Sequence, residues 1–191
     1  MISKTVLINL ERNSSSYKIQ IGHDLLTNCG DWARDCLGGK TGRIALVSNP
    51  KVFALYGAKV RQSFARSGFE VAICLIKDGE KYKNFRTLQE TLRSFSENRL
   101  TRTDTVVALG GGVVGDLAGF AASVYMRGIA FLQIPTTLLA MIDSSVGGKT
   151  AVNSEFGKNL IGSFYQPNGV LIDIETLATL PKRELDRKSV V

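Results

Sequence analysis

The run Gly110-Gly-Gly-Val-Val-Gly-Asp116 carries the densest chemical signal in the chain, with Gly110, Gly112 and Gly115 in a G-x-G-x-x-G spacing between a buried β-rich run and a helix-forming stretch. Residues without a Cβ let the backbone approach a phosphate, and the free N–H groups at the helix start hold its negative charge. The plainer alternative is a tight turn with close packing, helped by Gly119 and Ala122. One companion feature is missing, because the next β-rich run ends Gln133-Ile134-Pro135, with no acidic residue to grip a ribose. That weakens an ordinary dehydrogenase reading.

Three further stretches could do chemistry. Ser144-Ser-Val-Gly-Gly-Lys-Thr150 ends like a P-loop, but the pattern needs glycine where Asp143 stands, and this carboxylate would repel phosphates. What remains is a Gly-Gly turn presenting Lys149, in place of a nucleoside triphosphatase cradle. Asp78-Gly-Glu-Lys-Tyr-Lys83 follows a predicted strand, where ligands gather in open α/β sheets. Glu80 and Lys83 could hydrogen-bond a sugar and a phosphate, or form a surface ion pair on a solvated turn. Thr136 and Thr137 put two hydroxyls at another strand end, where helix capping is the plain role.

Composition narrows the chemistry further. With 191 residues, 44% apolar and 21% charged, the chain falls in the globular range of one domain or two small ones. Cys29, Cys36 and Cys74 form no C-x-x-C pair, and His23 is the single histidine, so no ordinary zinc site is expected and these residues are assigned no chemistry. Unpaired cysteines suit a reducing compartment. The N-terminal apolar stretch is broken by Asn9 and Glu11, and Gly128 to Ile142 contains Gln133 and Pro135, so neither a secretory signal nor a membrane span is expected. A cytoplasmic protein is the expectation. The net charge of +7 is scattered without interleaved aromatics, which favours small anionic ligands over nucleic acid.

The elements that must position these residues follow from periodicity. Thr5 to Leu10 and Tyr17 to Ile21 read as strands of a hairpin around Asn13-Ser-Ser-Ser, and Asp24 as the N-cap of a helix bearing Leu25, Cys29, Trp32 and Cys36. Arg43 to Val47, Phe69 to Ile76, Thr105 to Leu109, Ile129 to Ile134 and Val170 to Ile174 read as strands. Helices are predicted at Val52 to Ser67, from about Asn84 through Phe85, Leu88, Leu92 and Phe95, and in the small-residue stretch after Gly112. Alternation of this kind predicts an α/β fold, a mostly parallel Rossmann-like sheet covered on both faces, with an N-terminal β-hairpin.

Taken in order, the motifs resemble the 3-dehydroquinate synthase family. The resemblance runs from Val106 to Leu185 through VVALGGGVVGDLAGFAA, Tyr125-Met-Arg-Gly128, IPTTLLAMIDSSVGGKTAVN, Gly157-Lys-Asn159 and Pro181-Lys-Arg-Glu-Leu185, with Asp78-Gly-Glu80 and Lys83 upstream. It implies an NAD-binding domain over residues 1–180 and the start of an all-helical, metal-binding domain at 181–191. The implied reaction converts 3-deoxy-D-arabino-heptulosonate 7-phosphate into 3-dehydroquinate and phosphate, in the shikimate route to aromatic amino acids. NAD is implied as cofactor, with a divalent metal, zinc or cobalt.

By resemblance, the cofactor contacts fall on Asp78, Gly79, Glu80, Lys81, Tyr82, Lys83, Gly112, Val113, Val114, Gly115, Asp116, Thr136, Thr137, Lys149, Lys158, Thr176, Leu177, Ala178 and Thr179, with Asn49 a looser match for the adenosine ribose. Asp143, Lys149 and Asn159 match positions facing substrate and nicotinamide. Arg127 matches a phosphate-binding arginine that reaches the neighbouring subunit's site, which implies a homodimer. Asp186 to Val191 departs from the family's metal-ligand segment, and no metal ligand is assigned here. The chain therefore reads as an NAD-binding fragment or truncated product of such an enzyme, inactive alone. A non-catalytic NAD-binding or interaction module, a related sugar-phosphate cyclase and a polyol dehydrogenase stay open as alternatives.

Overall fold

A computed structural model describes residues 3–10, 15–40 and 42–181. Strands β1 (Ser3–Leu10) and β2 (Ser15–Gly22) pair antiparallel as the expected hairpin. A 3-10 turn (Leu25–Asn28) leads into α1 (Cys29–Cys36) and β3 (Arg43–Ser48). One helical segment follows, made of α2 (Pro50–Val52), a π-helical turn (Phe53–Gly57) and α3 (Ala58–Arg66). Then come β4 (Glu70–Leu75), α4 (Phe85–Glu97), β5 (Thr105–Gly110), α5 (Gly112–Val124) and β6 (Ala130–Pro135). The antiparallel strands β7 (Lys149–Ser154) and β8 (Gly157–Phe164) precede β9 (Gly169–Asp173) and a closing 3-10 segment, Ile174–Thr179.

The main sheet has the order β1-β2-β9-β6-β5-β3-β4, parallel except for the hairpin. Numbered among the five strands from β3 onward that enter it, the order is 2-1-3-4-5, a doubly wound arrangement whose direction reverses between β3 and β5. A crevice for a ligand is expected there, beyond the carboxyl ends of those strands. Ser48 and Gly110 end those strands, and the Ser48 hydroxyl donates to the Leu109 carbonyl at 2.8 Å, tying the two ends together.

Two apolar layers cover the sheet. Trp32, Val60 and Phe64 pack on Leu46, Leu109 and Leu132 on one face, while Phe95, Leu117 and Ala121 pack with Phe131 and Val106 on the other. Phe64, Phe95 and Phe131 are buried completely, each worth roughly 1.5–3 kcal/mol of transfer free energy. Met141 closes a third cluster with Tyr17, Ile19, Val170 and Ile172, under the N-terminal hairpin.

Two local expectations are corrected. Asp24 does not cap a helix: its backbone is left-handed (φ 49°), and its carboxylate accepts from the Thr27 hydroxyl at 2.6 Å and from Lys59 at 3.3 Å. Nor is the Lys149 region a bare turn, because Lys149 opens a β-hairpin that periodicity missed. The 181–191 helix start and the Asn13 turn fall largely outside the described residues, which cover only Pro181 of the first and Ser15 and Ser16 of the second. No helix among the described residues is long and apolar enough to cross a membrane.

Candidate functional site

The glycine-rich turn sits where the fold leaves a crevice. Gly111 is the N-cap of α5 and has no side chain to bond the helix's first N–H groups, so these stay available to an anion. A Cβ on Gly112 would come within 3.0 Å of the Ser144 hydroxyl, which is buried and lacks a partner among the described residues. A Cβ on Gly115 would meet the Gln133 side-chain oxygen at 3.0 Å. Gly119 has the packing role, since a Cβ there would lie 2.5 Å from the Thr150 methyl and 2.9 Å from the Phe131 ring. Both readings of these glycines are therefore used, at different positions.

Around that turn the structure gathers the 78–83 loop. Asn49 caps α2 by accepting from the Val52 N–H at 2.9 Å, and its amide donates to Asp78 at 3.1 Å. Asn49 thus reaches the crevice through Asp78. Gly79 adopts φ 110°, a backbone that side chains resist, and so turns the loop back over β4. Lys77 and Lys81 lie over the Tyr82 ring, 5.4 and 5.0 Å from its centre.

Lys83 is not the surface ion-pair partner that sequence allowed. It is 4% exposed, and its ammonium donates to Asp116 Oδ2 and to Asn159 Oδ1, both at 2.5 Å. The lysine joins the glycine-rich helix to the β7–β8 hairpin. Burial pushes the Asp116 carboxyl above its ordinary range; the Lys83 ammonium opposes that, and nearby Glu80 and Asp143 reinforce it.

A cleft of about 500 Å³ opens beside this pair, lined by Asp116, Asp143, Ser144, Lys149, Asn159 and residues of both hairpin strands. The three residues matched to substrate-facing positions, Asp143, Lys149 and Asn159, therefore share one wall system. Thr136 is buried and donates its N–H to the Gly110 carbonyl at 3.0 Å, while the Thr137 hydroxyl accepts from Ala140 at 3.3 Å as an ordinary cap. At the far end of the crevice the Tyr56 hydroxyl donates to the Thr176 carbonyl at 3.1 Å and also bonds the Thr179 hydroxyl. That contact fixes the segment carrying Leu177 and Ala178 against the π-helical turn after Asn49.

Lys158 and Arg127 stand apart. Lys158 is exposed on β8 and does not line the cleft. Arg127 follows α5 at the opposite end from the glycines, about 20 Å along the helix axis, exposed and in left-handed backbone (φ 65°). Asn153 was missed as a site residue: its side-chain amide donates to Glu80 Oε1 at 2.8 Å and its Oδ1 accepts from the Asn159 N–H at 3.0 Å. An asparagine in an unrecognised hairpin gave no warning of this. Among the described residues, no three His, Cys, Asp or Glu side chains converge on a point that could hold a metal.

An open doubly wound sheet with a glycine-rich turn at its switch point and an adjoining charged cleft places the chain in the doubly wound α/β class, whose ligands bind at such a crevice. The family model of the 3-dehydroquinate synthase N-terminal domain matches residues 73–187, and the chain belongs to the 3-dehydroquinate synthase family. It is 54% identical over 93% of its length to the 3-dehydroquinate synthase of Pelobacter propionicus, of which it covers 48%. Among solved structures, a 2-deoxy-scyllo-inosose synthase superposes with a TM-score of 0.86 at 29% identity, over 96% of this chain and 50% of that one. The 2-epi-5-epi-valiolone synthase of Streptomyces hygroscopicus, solved with NAD+ and Zn2+ bound, gives 0.81 at 33% identity, over 93% and 48%. The chain thus spans about half the length of the curated relatives it matches.

Proposed function

We propose that this chain is the NAD-binding half of a 3-dehydroquinate synthase, which converts 3-deoxy-D-arabino-heptulosonate 7-phosphate into 3-dehydroquinate and phosphate. The observation that carries the reading is the turn at Gly112: a helix start with no side-chain cap follows β5 at the β3–β5 crevice, beside a buried Ser144 hydroxyl that has no partner among the described residues. These features fit the pyrophosphate of a dinucleotide. The valiolone synthase neighbour, solved with NAD+, supports the same reading.

NAD, when bound, supplies a reversible hydride acceptor for a ring alcohol. Gly112 to Asp116 would hold its phosphates; the free oxygen of Asp78, buttressed by Asn49, would take the adenosine ribose; Glu80, Thr136, Thr137 and Thr176 to Thr179 would flank the rest of the molecule. Lys149, at the cleft, would supply a fixed cation for an anionic substrate; Lys158, exposed on β8 away from the cleft lining, is given no role in holding it. Asp143 and Asn159 would orient the sugar hydroxyls. Holding one flexible molecule in a single pose through several steps accounts for much of the rate such a site can supply. The residues described do not fit a metal, and no step is assigned to one.

Two wider features belong to this proposal. Arg127 is exposed and does not line its own cleft; it would serve the cleft of a second copy in a homodimer, its guanidinium suited to bidentate phosphate contact. Leu160 and Phe164 line the cleft and are 64% and 81% exposed, an apolar face that the other half of the family's length would cover. On this view residues 1–180 form the nucleotide-binding domain and 181–191 lead out of it. Phosphate release from the heptulosonate phosphate, measured on a fusion of this chain to the second half of the Pelobacter propionicus relative, tests the assignment. Release is expected; no release, with release from a different sugar phosphate, would favour a related cyclase.

A further inference from the structure

We propose that Asn153 is a positioning residue that sets the Lys83 ammonium between the glycine-rich helix and the substrate cleft, coupling the cofactor loop to Asn159; the functional meaning of that coupling rests on the NAD-binding reading above. The starting point is a register shift in the β7–β8 hairpin. Val152 pairs with Ile161 and Ser154 with Gly157, so Asn153 alone faces Lys158, Asn159 and Leu160. That is a bulge in β8, and Asn159 takes left-handed backbone there, at φ 59°.

A bulge leaves backbone groups without ladder partners, and asparagine can supply them from its side chain. Asn153 Oδ1 accepts from the Asn159 N–H at 3.0 Å, which holds the bulged residue in place. Its Nδ2 donates to Glu80 Oε1 at 2.8 Å, and its backbone N–H donates to the Lys83 carbonyl at 2.7 Å. One residue therefore fixes both ends of the Lys83–Asn159 contact: the carbonyl of the lysine and the backbone of the asparagine that receives its ammonium. The next residue in the loop, Asn84, forms a β-bridge with Asn153 and caps α4, so the clamp is anchored to the start of that helix.

The chemistry allows few substitutes. Alanine at 153 removes the acceptor for the Asn159 N–H and the donor for Glu80 together, and leaves the backbone bond to Lys83 intact. Aspartate keeps the acceptor but sets a second carboxylate against Glu80, so the bulge stays while the loop is pushed away. These two variants separate the two jobs.

The test reads the Lys83 ammonium directly, by nitrogen-15 NMR of the 191-residue chain without cofactor. Exchange-protected Lys83 ammonium protons and a hydrogen-bonded Asn159 amide are expected for the parent. Asn153→Ala should abolish the ammonium signal and shift the Asn159 amide, with the amide spectrum of the sheet unchanged; an Ala variant retaining both parent signals overturns the proposal. Should that variant fail to fold, Asn153→Asp decides: the Asn159 amide is expected to stay hydrogen-bonded while NAD binds about fivefold more weakly. Parent-like NAD affinity in the Asp variant overturns the coupling. If the parent itself fails to bind NAD, the functional assignment falls, while the NMR comparison still judges the role of Asn153.

Discussion

Gly112 and Gly119 occupy one helix two turns apart and answer to different demands. Gly119→Ala forces a methyl into the Thr150 and Phe131 side chains and should cost about 1–3 kcal/mol of stability, read as a lower melting temperature, with little change in NAD affinity. Gly112→Ala meets only the Ser144 side chain and should do more to binding than to folding: a smaller loss of melting temperature than Gly119→Ala, and NAD binding weakened by about tenfold or more, roughly 1.4 kcal/mol. Calorimetry and thermal unfolding on the two variants check the pair, and equal effects at both sites would remove the phosphate-cradle reading. The cysteines make a separate prediction. Burial pushes the Cys29 thiol up to about 12 and Cys36 to about 11. At pH 8 native-state alkylation should be far slower than after unfolding, since each unit of upward shift cuts the thiolate fraction about tenfold. The sign for stability follows: a thiol whose folded value is raised contributes stability that is full below about 9 and is lost as pH climbs toward 12. Melting temperature should fall across that alkaline window and less so in Cys29→Ala, compared with its own neutral-pH value.

At the scale of elements, legibility tracked whether a segment's pattern was set by its own burial. α4 was readable because Leu88, Leu92 and Phe95 recur at helical spacing on its packed face, although Phe85 is 47% exposed, and Asn84 does cap it, accepting from the Thr87 N–H at 3.0 Å. Asn84→Ala should cost about 1 kcal/mol, measured by chemical denaturation. The inner parallel strands β3, β5, β6 and β9 were readable for the same reason, since burial on both faces makes them continuous apolar runs. The β7–β8 hairpin was not. Its second strand is mostly exposed, so Leu160, Ile161 and Phe164 give no alternating pattern. Gly162 is there for close approach: a Cβ on it would sit 2.0 Å from the Thr150 carbonyl oxygen of β7. Asn153 and the burial of Lys83 both depend on that hairpin, so the candidate site was legible in its motifs but not in the contacts that join them.

For the whole molecule, the proposal that Arg127, exposed after α5, completes the cleft of a second copy makes a prediction of its own. In the fused two-domain protein, Arg127→Ala and Lys149→Ala should each abolish phosphate release, and mixing the two should restore roughly a quarter of it, because half of the dimers formed at random carry one intact site. No recovery on mixing would place Arg127 outside any shared site. The central claim is simpler than the dimer and needs only this chain: the β3–β5 crevice takes a dinucleotide on the Gly112 cradle. Isothermal titration of the 191-residue chain with NAD tests it most directly. Saturable one-to-one binding in the micromolar range, weakened in Gly112→Ala, is the result expected; no heat of binding to a chain whose folded state is verified by NMR would contradict it.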